Sequence, residues 1–207
     1  TDYIFDGQTN TPYTEEDETK PVNVYGKTKL TGEQAIQSID NHHLIFRLSW
    51  VYGLRGKNFL LTIKRLATER NELKIVDDQV GVPTWCRIIA ESTSQVLAQC
   101  RVKSSDYLDA DYIQEVSGLY HMTGVGQTSW HGFAKAIIGE ETKKESSPIN
   151  KNVDIIPIPT SAYPLPANRS PYSVLSNKKF IDFASLNTTS HLLCSPLSSV
   201  SSALLGK

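Results

Sequence analysis

Apolar and polar positions divide most of the chain into short elements with two different periods. Residues 1–5 (Thr-Asp-Tyr-Ile-Phe) predict a strand, and residues 6–21, rich in Gly, Pro and acids without an apolar period, predict a surface loop. From Val24 the pattern predicts a helix on which Tyr25 and Lys29, four apart, share one face. Residues 43–52 (HLIFRLSWVY) are dense in apolar, aromatic and β-branched side chains, as in a strand buried on both faces of a parallel sheet. Phe59, Ile63, Leu66 and Ala67 fall at helical spacing within residues 58–70, and residues 73–76 predict another strand. A helix over 87–100 follows, with Ile89, Val96, Leu97 and Cys100 inward, then an acidic loop over 104–115 and a strand over 119–122. Ser129 caps a helix that starts at Trp130 and carries Phe133, Ala134, Ile137 and Ile138 on its apolar side. Residues 154–158 are one more strand, leading into a Pro-rich run over 160–171. This alternation of strand and helix predicts an α/β fold. Residues 182–207, rich in Ser and Leu, show no period and are assigned no structure, and no internal repeat is present.

At 207 residues the chain suits one domain, or one domain with part of a second. Its net charge of -1 gives no electrostatic case for nucleic acid or an anionic membrane, so an anionic ligand needs a local site. Cys86, Cys100 and Cys194 are an odd, widely spaced set without a CxxC pair. That argues against a disulfide framework or a zinc site and suits a reducing compartment. No apolar run approaches the roughly 18 residues of a membrane span, and no signal-peptide pattern is present, so a cytoplasmic protein is expected. The chain opens on Thr1 inside a predicted strand, as a piece of a longer protein would.

Tyr25 and Lys29 are the residues with the clearest chemical reading. Reducing a ketone needs hydride at carbon and a proton at the oxygen that becomes an alkoxide. A phenol titrates near pH 10, so a cation that lowers it by about 3 units must supply roughly 4 kcal/mol of differential stabilisation. A lysine one helical turn away can be that cation, and its three donors can also reach a nicotinamide ribose. The bare spacing carries little information, because 9 Tyr among 207 residues with this lysine content produce roughly 0.6 such pairs by chance.

The surrounding segments carry much more. Thr1-Asp-Tyr-Ile-Phe-Asp-Gly, Val24-Tyr-Gly-Lys-Thr-Lys-Leu, Arg47-Leu-Ser-Trp-Val-Tyr-Gly, Gly56-Lys-Asn-Phe, Asp78-Gln-Val-Gly-Val-Pro-Thr, Gly118-Leu-Tyr-His and Thr160-Ser-Ala-Tyr-Pro-Leu-Pro-Ala occur in one order. Over about residues 1–180 they resemble the extended short-chain dehydrogenases and, more narrowly, the dTDP-4-dehydrorhamnose reductases. The resemblance implies the C-terminal part of a Rossmann-type doubly wound parallel sheet plus a smaller mixed α/β substrate-binding domain. Residues 1–57 would be the remainder of the NAD(P)-binding domain, 58–180 the sugar-nucleotide domain with returning Rossmann elements over about 78–123, and 181–207 an atypical tail. It implies NADPH or NADH as cofactor, a dTDP-sugar substrate, and reduction of the 4-keto group of dTDP-4-dehydro-6-deoxy-L-mannose; a homodimer is compatible with it.

By the same resemblance, Thr1, Tyr25 and Lys29 are catalytic, with Thr1 bonding the substrate carbonyl and Tyr25 donating the proton. Tyr25, Lys29 and Ser49 face the cofactor. Thr1, Asp2 and Trp50 face the substrate, Trp50 by laying its flat apolar face on the hexose. Sugar-nucleotide dehydratases of the same superfamily carry an acidic residue after Thr-Asp, where this chain has Tyr3, so elimination is disfavoured. Some relatives hold magnesium through a glutamate where this chain has Arg87, so no metal is expected there. His121 and His131 read as structural. The Gly-x-x-Gly-x-x-Gly phosphate cradle that belongs after the family's first strand is absent from these residues, and the tail departs from the amphipathic helix of relatives. Two other readings stay open: a non-catalytic regulatory subunit of the methionine adenosyltransferase type, and another sugar-nucleotide epimerase or reductase.

Overall fold

The computed structural model describes residues 1–39, 42–99 and 110–185. Its elements are α1 (Val24–Ser38), β1 (Leu44–Arg47), β2 (Val51–Tyr52), α2 (Phe59–Glu69), β3 (Glu72–Val76), β4 (Val80–Gly81), β5 (Thr84–Trp85), α3 (Cys86–Gln99), α4 (Ala110–Val116), β6 (Gly118–His121), β7 (Thr128–Ser129), α5 (Trp130–Thr142), β8 (Asp154–Ile158) and α6 (Lys178–Ser185). Three strand pairs are parallel, β1 with β6, β2 with β5 and β3 with β8, while β4 and β7 run antiparallel. Parallel neighbours far apart in sequence require crossovers, which the helices supply. The fold is α/β, as the alternation of periods predicts.

Three apolar clusters hold these elements together. Leu60, Ile63 and Ala67 of α2 meet Phe133, Ala134, Ile137 and Ile138 of α5 over Leu73 and Tyr52. Val96, Val116, Tyr120, Met122 and Phe180 pack against the β1–β6 pair. Ile4 and Phe5, both fully buried, join Tyr13 and Leu175 in the third cluster, where Phe5 and Tyr13 stack with centroids 4.1 Å apart. Burying a side chain of this size stabilises by about 1.5–3 kcal/mol relative to leaving it exposed.

The structure corrects several expectations. Residues 1–5 do not form a strand: Asp2–Ile4 is one 3-10 turn, capped by the Thr1 hydroxyl, which accepts from Tyr3 N. Asp2 N donates to Leu48 O at 3.1 Å, so the segment still lies beside the β1 region. The expected strand over 43–52 breaks in two at Trp50, whose φ of 41° lies in the left-handed region. That turn lets the chain leave β6 and pair with β5 instead. Within the expected acidic loop, residues 110–116 are α4, and residues 104–109 lie outside the described residues. The inward face of α3 is Ile88, Ser92 and Val96, not Leu97, which is 43% exposed. Ile89 packs at the edge of the second cluster, and Cys100 lies outside the described residues. Finally, α6 reaches into the segment assigned no structure, with Phe180 buried and Phe183 against Tyr120; residues 186–207 lie outside the described residues.

Candidate active site

Tyr25 is the second residue of α1, and its place follows from two neighbours. Asn23 caps the helix: its Oδ1 accepts from Gly26 N at 2.8 Å while its Nδ2 donates to Asn168 O at 2.9 Å. One side chain thus satisfies a helix N–H and ties the Pro-rich segment to the first turn of α1. Gly26 lets that turn approach the 3-10 turn closely, because a Cβ there would sit 2.1 Å from Tyr3 O. The close approach sets Tyr25 edge-on to Tyr3, with centroids 5.9 Å apart and an interplanar angle of 87°.

Lys29 stands one turn further along, its Nζ 5.6 Å from the centre of the Tyr25 ring, within the range of a cation–π contact. Both residues are exposed and border a cavity of about 650 Å³ with Thr1, Asp2, Trp50 and Trp130. The Thr1 hydroxyl donates to Asp2 Oδ1 at 3.3 Å. Asp2 is buried, and burial pushes its carboxyl above the ordinary carboxylate range despite hydrogen bonds from Ser173 and Ser49. Ser49, 1% exposed, donates to Asp2 Oδ2 at 3.0 Å. Ser49 therefore reaches this cavity only through Asp2.

Trp50 is half-buried and its ring is held from two sides. Trp130 stacks on it with centroids 3.5 Å apart and planes 7° from parallel. The backbone of Gly81 lies against the same indole, since a Cβ there would come within 2.4 Å of Trp50 Cε2. With Trp130 covering one face, Gly81 can only approach the other. One face of the indole is thus taken by Trp130 and the other is met by Gly81, while the residue borders the cavity with Tyr25. A bulky residue in the left-handed region costs about 1–2 kcal/mol, and an aromatic pair returns about 0.5–1.5 kcal/mol.

A second cavity of about 330 Å³ lies on the other side of Trp130 and includes Arg70, Lys74, Tyr163 and Arg169. Arg169 and Tyr3 also border a third, of about 460 Å³, that reaches Asn23 and Tyr25. Burial pushes the Tyr3 phenol up, and the Arg169 charge opposes that push only in part.

A buried polar chain underlies the site. Arg47 of β1 donates through Nε and Nη2 to Glu33 Oε2 of α1 at 3.0 and 2.8 Å, and its Nη1 lies 3.4 Å from His121 Nε2. His121 Nδ1 lies 3.1 Å from Tyr13 O. A carbonyl can only accept, so Nδ1 carries the proton and Nε2 is free to accept from Arg47. Both ring nitrogens of His121 are thus engaged, and His131 Nε2 meets Ile155 O at 3.1 Å. Arg87 pairs with Glu91 at 2.7 Å. Among the described residues, no group of three or more His, Cys, Asp or Glu is placed to hold a metal.

Asn23, Trp130 and Arg169 are site residues that the sequence reading did not single out. Asn23 had a legible signal, an Asn directly before a helical period. Trp130 and Arg169 had none, because each reaches the site from an element distant in sequence.

Comparison with known proteins supplies the family context. A family model described as the RmlD substrate binding domain matches residues 1–191. The chain is 50% identical over 179 residues to the dTDP-4-dehydrorhamnose reductase of Burkholderia thailandensis, a match covering 86% of this chain and 58% of that protein. It is 42% identical to that of Escherichia coli K12, with 87% and 56% covered. Among solved structures, it is similar to a dTDP-4-dehydrorhamnose reductase from Clostridium acetobutylicum at 32% identity and a TM-score of 0.80, covering 100% of this chain and 64% of that one. The corresponding figures for the Bacillus anthracis enzyme, solved with NADP, are 28%, 0.79, 100% and 63%. The chain thus spans little more than half the length of the curated relatives it matches.

Proposed function

The chain belongs to the RmlD substrate-binding-domain family, and from that premise we propose that it is part of a reductase converting the 4-keto group of dTDP-4-dehydro-6-deoxy-L-mannose to the hydroxyl of dTDP-L-rhamnose. The observation that carries this reading is the meeting of Tyr25, Lys29 and Thr1 around one cavity. Tyr25 gives its phenolic proton to the carbonyl oxygen as negative charge develops there. Thr1, turned from Asp2, donates a second hydrogen bond to the same oxygen and stabilises that charge. The Lys29 ammonium, beside the Tyr25 ring, stabilises the phenolate left behind. Asp2 accepts from Ser49 and, until substrate enters, from the Thr1 hydroxyl. Trp50 meets the sugar with its edge.

NADPH or NADH supplies the hydride when bound. The donor set fits its nicotinamide end, since Lys29 and Tyr25 present one cation and one hydroxyl on a single exposed helix face. Tyr3 stands beside Tyr25 as a phenol that burial keeps neutral at neutral pH, so it provides no carboxylate base for eliminating water. Residues 1–57 serve as part of the cofactor domain, and residues 58–180 as the sugar-nucleotide part with returning elements over about 78–123. The widely spaced cysteines support a cytoplasmic setting. Among the described residues, no helix is long and apolar enough to cross a membrane.

The test uses the full protein that contains this segment. It is expected to oxidise NADPH or NADH only when the keto-sugar nucleotide is added. Tyr25→Phe is expected to lower kcat by at least 10²-fold with product affinity kept; turnover retained in that variant ends the proposal.

A further inference from the structure

The stack of Trp50 on Trp130 joins two parts of the molecule that the reaction does not otherwise connect. Trp50 stands at the break between β1 and β2, and its left-handed backbone turn alone does not determine where the indole lies. Trp130 is the first residue of α5, and its position is closely tied down. Ser129 Oγ accepts from Gly132 N at 2.9 Å and also bonds Asp77. His131 is anchored on Ile155 O. Phe59 of α2 packs on Trp130 at 4.6 Å between centroids. Gly81 pairs with Thr128 in the β4–β7 ladder, so the surfaces on both sides of the Trp50 indole belong to one small sheet and the helix it leads into. Trp130 also borders both the cavity that holds Tyr25 and the one that holds Arg70, Lys74 and Arg169.

We infer that Trp130 is a positioning residue for sugar-nucleotide binding: it clamps Trp50 so that the edge of its indole faces the hexose, and it forms the wall between the sugar cavity and the basic cavity beside it. The inference rests on the proposed reductase reading, and it gives a role to a tryptophan that would otherwise be core filling. A core-filling tryptophan needs only apolar bulk, whereas a clamp needs a flat ring parallel to Trp50.

Two substitutions separate these roles in the full protein. Trp130→Leu keeps apolar bulk against Phe59, and Trp130→Phe keeps a flat ring. Affinity for dTDP-L-rhamnose is measured by calorimetry, and KM for the keto-sugar nucleotide and for NADPH by kinetics. Trp130→Leu is expected to weaken dTDP-L-rhamnose and raise the keto-sugar KM about tenfold, with the NADPH KM unchanged, and Trp130→Phe to stay within about threefold of the unsubstituted protein. Equal behaviour of the Leu and Phe variants, or a loss shared by NADPH, overturns the inference while leaving the reductase reading intact. An unsubstituted protein that neither binds dTDP-L-rhamnose nor turns over the keto sugar overturns both.

Discussion

At Gly26 a single hydrogen atom in place of a methyl decides where Tyr25 stands. Because a Cβ there would lie 2.1 Å from a backbone oxygen, not from a flexible side-chain end, the neighbour cannot yield cheaply. Gly26→Ala is expected to destabilise the protein by about 1–3 kcal/mol, the range for forcing atoms into a tight site, and to lower kcat by displacing the adjacent Tyr25; thermal unfolding and steady-state kinetics check both. Asn23 acts at the same scale with a smaller effect. Asn23→Ala removes the cap and the tie to Asn168 O and is expected to cost about 1 kcal/mol. Asn23→Asp keeps the cap acceptor but lacks the donor to Asn168 O, so comparing the two in denaturant melts separates the functions. The Tyr-Gly dipeptide was readable as part of a motif, but its steric reason was not, since Tyr3 O comes from a different segment.

The ion pair between α1 and β1 governs how the helix that carries Tyr25 and Lys29 sits on the sheet. Glu33 and Arg47 are both buried, 8% and 5% exposed, and Arg47 meets Glu33 Oε2 through two nitrogens. Removing one partner leaves a buried charge without its counterion. Arg47→Met is therefore expected to destabilise by about 3–5 kcal/mol. The double variant Arg47→Met/Glu33→Leu is expected to recover most of that loss, a coupling that a double-mutant cycle by urea unfolding measures. The start of α5 at Trp130 and the bounds of β8 were legible because caps and apolar period agree there. The break at Trp50 was hidden inside a continuous apolar run, because composition does not distinguish one long strand from two short strands that change partners.

Across the whole molecule, acid stability depends on the buried polar chain. Burial, with Arg47 alongside, holds the His121 imidazole down at about 3, against 6.5 ordinarily. Between those values the unfolded chain binds a proton that the folded chain does not, so stability rises with pH through this window, levels off above it, and is lost as pH falls. Asp2 opposes this, because its raised carboxyl favours the folded state at low pH and that contribution fades as pH rises above its ordinary value of 3.8. His121→Gln, which keeps a donor for Tyr13 O, is expected to lose less stability than the unsubstituted protein as pH falls from 7 to 4, read from urea midpoints. The sequence alone determined the α/β class, the pairing of Tyr25 with Lys29 on one helix face, and the family, because periods, caps and ordered motifs are local properties of the chain. Only the tertiary structure decided that Ser49 bonds Asp2, that Trp130 stacks on Trp50, and that Trp130 and Arg169 line cavities bordering Tyr25. Those relations join residues far apart in sequence, and their distances come from packing between elements that no local pattern encodes.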